Sequence, residues 1–221
     1  VDALNNKTPQ IVLFGAGYDS RPYRFANSNQ GTRIFELDAR PTQDRKKKCI
    51  RKARIDIPRH VTFVPINFNQ ESLKDILEKA GYDNNQKTLF IWEGVSYYLE
   101  KKSVDTTLEF VSRSSHHESA LAFDYTISIS EENIDDHYGV KEFTQTMKEH
   151  HANEELMFSL DEGEIESFLE QRGLNIVDHL NNEEIERMFL LDEKEVLIGR
   201  ITGHFRFILA SPNSCLQKKG T

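Results

Sequence analysis

The sequence predicts an α/β fold: one doubly wound, mostly parallel sheet of seven strands whose last strand runs antiparallel. Three observations carry this expectation. Short, continuously apolar runs such as Ile11-Val12-Leu13-Phe14 and Thr88-Leu89-Phe90-Ile91-Trp92 suit strands covered on both faces, as in a parallel sheet. Such runs alternate with segments of helical period from residue 11 to residue 125, the pattern of repeated strand-helix-strand units. The first run passes directly into Gly15-Ala16-Gly17 and then a polar helix start, a strand-turn-helix whose glycines let the backbone approach a ligand where the strand ends.

Each element has a local reason. Residues 20–27 read as a short helix, with Asp19 or Ser20 available to cap its free amides and Pro22 tolerated in its first turn. After Gly31, Arg33-Ile34-Phe35-Glu36-Leu37-Asp38 is the second strand; Glu36 and Asp38 fall on one face of its C-terminal end. Pro41 opens a basic helix over 41–54, and the third strand, 60–66, ends at Asn67. A helix over 69–80 places Leu73, Ile76 and Leu77 on its buried face, and Gly81 ends it. The fourth strand, 88–92, finishes on Glu93-Gly94; a helix over 101–114 and a fifth strand over 119–125 follow. Residues 128–160 change in texture to a polar insertion placed over the crevice, irregular and partly helical. A helix over 161–172, a sixth strand over 174–178 and a helix over 183–191 come next. Residues 203–210 form the last strand, expected as an antiparallel partner near the sheet edge.

At 221 residues the chain makes one domain, 1–221, with a full core. A net charge of −8 argues against nucleic acid as a partner, since phosphate backbones require a concentrated basic surface. The one basic run, Arg45-Lys46-Lys47-Lys48 with Arg51, Lys52 and Arg54, has helical spacing and reads as a solvated helix face. Cys49 and Cys215 supply neither a disulfide framework nor metal-ligand spacing, so a reducing cytoplasm is expected and no metal site. No run approaches about 18 apolar residues and no leader opens the chain, so neither a membrane span nor a signal peptide is expected.

Polar groups collect at strand ends: the glycine turn, Asp38, Asn67 and Glu93. Asp38 lies 21 residues after Gly17, where a carboxylate would grip a ribose diol by accepting from both hydroxyls; capping the next helix is the other reading, with more weight for Glu36 than for Asp38. Ser20 stands in place of the third glycine of a dinucleotide fingerprint, which counts against a diphosphate cradle.

Phe14-Gly15-Ala16-Gly17-Tyr18-Asp19-Ser20-Arg21-Pro22-Tyr23-Arg24, Glu36-Leu37-Asp38 and Glu93-Gly94-Val95-Ser96-Tyr97-Tyr98-Leu99 together resemble the S-adenosylmethionine-dependent methyltransferases of the leucine carboxyl methyltransferase-like family. The family's first motif reads Gly-x-Gly-x-Asp-[Thr/Ser]-Arg-x-x-Arg, and the resemblance covers residues 9–126, weakening towards the last strand. It implies a Rossmann-like class I fold, S-adenosyl-L-methionine as cofactor, and methyl transfer to a carboxylate or hydroxyl of a small molecule or peptide end. It further implies that Gly15, Ala16 and Gly17 pack against the methionine part, that Asp38 holds the ribose, and that Glu93 with Gly94 faces the amino-acid portion. Where the family has an Asp-Leu pair on adenine, this chain has Asn67 and Phe68; an amide can still accept from the exocyclic amine and donate to a ring nitrogen. The family's N-terminal cover, which brings an arginine to the cofactor's carboxylate, has no counterpart before Val1, so natural N-terminal residues are expected to be missing.

A carboxylate acceptor is already nucleophilic, whereas a hydroxyl needs a base. Tyr97 and Tyr98 stand where the acceptor should approach, and His137, His150 and His151 in the insertion are candidate bases; each also has a plain structural reading, as core filling for a tyrosine and as exposed polar surface for the histidines. Two other functions share parts of the pattern. A nicotinamide-dependent oxidoreductase would share the first two strands, and a non-catalytic nucleoside-binding module would share the fold. The acceptor and the oligomeric state are not legible in the sequence.

Overall fold

The computed structural model describes residues 1–150 and 156–213; His151 and Cys215 lie outside them. The chain runs α1 (Asp2–Asn5), β1 (Gln10–Phe14), α2 (Arg21–Arg24), β2 (Arg33–Asp38), α3 (Arg40–Lys52), β3 (Val61–Pro65), α4 (Leu73–Lys79), β4 (Thr88–Trp92), α5 (Lys101–Arg113) and β5 (Ala120–Thr126). Beyond β5 come α6 (Val140–His150), α7 (Ile165–Glu170), β6 (Leu174–Asn181), α8 (Asn182–Phe189) and β7 (Phe205–Pro212), with 3₁₀ turns at Ala26–Ser28, Ser96–Tyr98 and Ile134–Asp136.

One seven-stranded sheet has the order β3-β2-β1-β4-β5-β7-β6. Strands β1 to β5 pair in parallel, and β7 is antiparallel to both β5 and β6. The last strand is therefore not at the edge: it inserts between β5 and β6, and β6 takes the edge. Alternation along each strand divides the apolar side chains between two faces. Val12, Phe14, Phe35, Leu37, Phe90, Trp92, Leu121 and Phe123 pack under Leu73 and Leu77 of α4 and Val104, Leu108 and Val111 of α5. On the opposite face Ile11, Leu13 and Ile34 pack with Leu4 of α1 and Ala16.

Helix α4 begins at Leu73, four residues later than the sequence suggests, because residues 67–71 close a turn of their own: Asn67 N–H donates to Glu71 Oε2 at 2.8 Å and Asn69 N–H to Asn67 Oδ1 at 3.1 Å. Ser72 then caps the helix through Asp75 N–H. Strand β6 runs to Asn181, past the expected end at 178, because it pairs with β7 through a bulge at Ile176/Asp178. Asn181 and Glu184 close a reciprocal capping box that starts α8.

The basic face of α3 is not wholly solvated. Lys46 is buried, and its Nζ lies 2.8 Å from Oε2 of the equally buried Glu36 on β2; Gln43 Nε2 donates to the Glu36 carbonyl at 2.8 Å. Glu36 thus neither caps a helix nor faces the crevice. Burial holds its carboxyl above the ordinary range against the pull of Lys46. The insertion after β5 contains helix α6, and its returning end is tied to the sheet: Met157 N–H and Phe158 N–H donate to the Tyr97 carbonyl, and Leu160 bridges to Ile127.

Candidate functional site

Strand order reverses between β1 and β4, and in open α/β sheets ligands bind outside the strand ends at that point. The turn after β1 occupies this position. Gly15 (φ +66°) and Gly17 (φ +42°) both lie in the left-handed region, but the two differ in surroundings. A Cβ on Gly15 would overlap the Val95 side chain, whereas one on Gly17 would meet no atom closer than the Gly15 carbonyl at 3.7 Å. Gly15 is thus required both by its dihedral and by the Val95 side chain beside it, and Gly17 by its dihedral alone.

Asp38, at the end of β2, joins its strand to this turn. Its Oδ2 accepts from Gly17 N–H at 2.5 Å and its Oδ1 from Ala39 N–H at 2.7 Å. Each carboxylate oxygen retains a lone pair after these bonds, so the bond to the helix start and a ribose grip are compatible.

Two cavities flank the turn and share Gly15. The larger, ≈ 630 Å³, is lined by Asp38, Asn67, Phe68, Asn69, Val95 and Leu99 among others. Asn67 is exposed at its rim, and Phe68 sits half-buried with its ring edge-on to Phe14. The smaller, ≈ 290 Å³, is lined by Gly15, Ala16, Gly17, Asp19, Arg21 and Glu93 among others. Here Arg21 bridges two carboxylates: Nη2 lies 2.6 Å from Glu93 Oε2, and Nε donates to Asp19 Oδ2 at 2.8 Å. Asp19 Oδ1 also accepts from Arg21 N–H at 2.8 Å, so Asp19 caps α2 while Ser20 does not.

Gly94 lines neither cavity; its N–H donates to Asp124 Oδ1 at 2.9 Å. Asp124, near the end of β5, therefore clamps the turn after β4. Burial, with the neighbouring Glu93 charge adding to it, pushes the Asp124 carboxyl from 3.8 up to about 6, against the Gly94 bond. The folded state then holds this proton more tightly than the unfolded one, so Asp124 makes stability fall as pH rises from about 4 through 6. Asp124→Asn should flatten the pH dependence of urea midpoints over that interval; an unchanged slope would assign it to other groups.

Tyr97, Tyr98 and His137 line neither cavity beside the glycine turn. Tyr97 is buried, its ring 4.8 Å from that of Tyr98 and 5.5 Å from that of Phe205, and burial pushes its hydroxyl well above the usual range. His137 sits beside Gly203 and close to His204, a buried histidine whose pKa burial, with Arg206 and His137, pushes down to about 4. The structure thus gathers Gly15, Ala16, Gly17, Asp38, Asn67, Phe68 and Glu93 around one turn, while Tyr97, Tyr98 and His137 line neither of its cavities, the Tyr97 hydroxyl lying 3.8 Å from the Cβ position of Gly94. Arg21 received no separate role from the sequence, although its place directly after Asp19-Ser20 in the motif was the available signal. Val95, whose side chain fills the space beside Gly15, likewise stands in a quoted motif without a role of its own.

The sheet order and the crevice at its switch point define the class: a Rossmann-like class I methyltransferase fold. Solved structures with that fold include the mitomycin 7-O-methyltransferase MmcR, with a TM-score of 0.59 at 13% identity over 96% of this chain and 50% of that one. An O-methyltransferase family protein from Burkholderia thailandensis has a TM-score of 0.58 at 9% identity over 96% of this chain and 53% of that one. The leucine carboxyl methyltransferase family profile matches residues 1–112. YktD of Bacillus subtilis, named as a candidate S-adenosyl-L-methionine-dependent methyltransferase, is 30% identical over 198 residues, 89% of this chain and 64% of its own length. A Frankia alni protein of the same description is 36% identical over 109 residues, 49% of this chain and 37% of its own. The chain belongs to the leucine carboxyl methyltransferase family. It spans less than two thirds of the length of either curated relative. No helix among the described residues is long and apolar enough to cross a membrane.

Proposed function

We propose that this chain carries S-adenosyl-L-methionine-dependent O-methyl transfer to a carboxylate or hydroxyl of a small molecule or peptide end. The observation that carries the reading is the pair of cavities meeting at Gly15, one with Asp38 at its side and the other with Arg21 and Glu93. The residues fit the cofactor: a turn on which a Cβ at Gly15 would clash, a carboxylate with acceptor capacity left, and a cleft bounded by an amide and an aromatic ring. Asp38 would hold the ribose, Asn67 and Phe68 the adenine, and Gly15 to Gly17 with Glu93 the methionine part. When bound, the cofactor supplies an electrophilic sulfonium methyl group for displacement by the acceptor oxygen.

The chain's own contribution to such a displacement is alignment and exclusion of water. The β1 turn, Asp38 and Glu93 fix the donor side. The 128–160 segment and Tyr97 and Tyr98 form the acceptor side in this reading, with His137 as base where the acceptor is a hydroxyl. The family membership and the similarity to YktD support the cofactor; the O-methyltransferase neighbours support the fold on which it would sit.

Calorimetry with S-adenosylmethionine and with NADH tests the reading, followed by methyl incorporation on a panel of carboxylate and hydroxyl acceptors. Binding of S-adenosylmethionine alone, with turnover on some acceptor, is the expected result; binding of NADH alone would favour the oxidoreductase, and cofactor binding without turnover the binding module. Within it, Asp38→Ala should weaken S-adenosylmethionine binding about ten- to hundredfold, ~1.5–3 kcal/mol, the value of hydrogen bonds to a charged group. Thermal unfolding of the same variant separates this loss from damage to the Gly17 bond. Unchanged affinity in a folded variant would remove Asp38 from the ribose.

A further inference from the structure

We propose that the outer face of α3 and the loop that follows it form a docking surface for an anionic lipid bilayer, on which the protein rests without crossing it.

Nine of the chain's 28 lysines and arginines fall within residues 40–59, against only Asp44 and Asp56. That segment therefore carries +7 and the rest of the chain −15, the balance of a total of −8. Two of the nine are engaged by the fold: Lys46 pairs with Glu36, and Lys47 lies over the Phe63 ring at 4.4 Å. The other seven are exposed, and none of them enters an ion pair among the described residues. Helix geometry gathers five of these. Gln43, Lys46 and Ile50 make the buried stripe of α3; at 3.6 residues per turn, Arg40, Arg45, Lys48, Arg51 and Lys52 fall in an arc of about 140° on the opposite side.

The fold gains little from this arrangement. The helix dipole favours Arg51 and Lys52 in the last turn, but disfavours Arg40 in the first. Arg45 and Lys48 at i, i+3 and Lys48 and Lys52 at i, i+4 are like charges on one line, which weakens a helix. The C-terminal cap places Arg54 (φ +54°) in the left-handed position that glycine holds without strain. Here Arg54 N–H donates to the Arg51 carbonyl and Ile55 N–H to the Ile50 carbonyl, both at 3.1 Å. A stripe that costs the fold is accounted for by a partner that neutralises it.

The partner's chemistry follows from what flanks the stripe. Ile55 and Ile57 are 49% and 44% exposed. Cations beside exposed apolar side chains match a bilayer surface, where phosphate headgroups take the charge and the acyl boundary takes the isoleucines. A nucleic-acid backbone takes the charge alone, because isoleucine offers a base neither aromatic stacking nor a hydrogen bond. Residues 44–59 line neither cavity of the candidate site, so this surface presents a helix flank to a plane rather than a groove to a peptide. The negative remainder of the chain is largely screened from the bilayer, since exposed charges more than about 8 Å apart interact weakly at physiological salt.

Co-sedimentation with phosphatidylcholine vesicles, with and without phosphatidylglycerol, tests the proposal. The wild type should bind only the anionic vesicles, and less as sodium chloride is raised. Each Lys or Arg near such a surface is worth about fivefold in affinity, so the triple variant Arg45→Gln, Lys48→Gln, Lys52→Gln should bind about a hundredfold more weakly. Its thermal midpoint should be equal or higher, because the substitutions relieve like-charge contacts. Ile55→Gln with Ile57→Gln should weaken vesicle binding about tenfold through lost apolar burial. A folded wild type that ignores anionic vesicles, or a triple variant that binds them undiminished, overturns the proposal. Tighter binding to a DNA duplex or to polyglutamate than to the vesicles, insensitive to the isoleucine pair, also overturns it and assigns the stripe to a nucleic acid or an acidic protein.

Discussion

Lys46→Met is expected to lower the stability of the fold by about 3–5 kcal/mol, the range seen when one partner of a buried ion pair is removed. Lys46 and Glu36 are both buried, at 4% and 1% exposure, so neither can turn to water when the other is lost. Without Lys46, the Glu36 carboxyl loses the interaction that opposes its burial and must either stay charged unpaired or take up a proton. The proton route sets the sign of a pH effect. A carboxyl whose folded pKa lies above its unfolded value contributes stability at low pH that is lost as pH rises through the folded pKa. The variant should therefore recover stability on acidification, opposite to the usual acid response of a protein. Glu36→Leu combined with Lys46→Met should regain most of the loss, since an apolar pair of similar volume avoids the desolvation of two charges. Urea unfolding of the single and double variants near pH 5 and pH 8 checks both points. A single-variant loss below about 1 kcal/mol would show that solvent reaches the pair.

Gly15→Val should abolish cofactor binding. The residue combines a φ of +66°, which costs a β-branched side chain on the order of 1–3 kcal/mol, with a Cβ position already filled by Val95. Since Gly15 lines both cavities, any shift that relieves the overlap moves a wall shared by the two proposed ligand halves. Gly17→Val should be milder: its φ of +42° is strained, but the nearest atom to an added Cβ is 3.7 Å away. Pairing Gly15→Ala with Val95→Ala should restore space without relieving the dihedral, and so recover binding only in part. Titration of each variant with S-adenosylmethionine, alongside its thermal midpoint, tests the ranking. Undiminished binding by a folded Gly15→Val would place the crevice elsewhere.

Much of the fold was legible because its signals are local. A continuous apolar run stays a buried strand wherever it is placed, and β2 and β4 occupy the expected residues, Arg33–Asp38 and Thr88–Trp92. Glycines followed by Asp19-Ser20-Arg21 mark a turn by their backbone requirements, and a carboxylate at the end of the second strand must lie near that turn once the two strands are neighbours. The glycines of the turn, Asp38, Asn67 and Glu93 stand out in this way, Ala16, Phe68 and Gly94 enter through the family resemblance, and all but Gly94 line the two cavities at the turn.

What sequence alone determined, then, were the elements, their type and the polar groups at their ends, each set by the conformational preferences and hydrophobic period of a few consecutive residues. What only the tertiary structure decided were matches between distant residues. Lys46 sits in a run that reads as a solvated face, and it is buried because Glu36 meets it from the sheet below. Strand β7 has the alternation of an edge partner but lies between β5 and β6, since neighbour order depends on long-range pairing that no local period encodes. Arg21 finds Glu93 across 72 residues, and Gly15 must be glycine because Val95 fills the space beside it. In each case the deciding term is desolvation, charge pairing or steric exclusion between groups that only folding brings together.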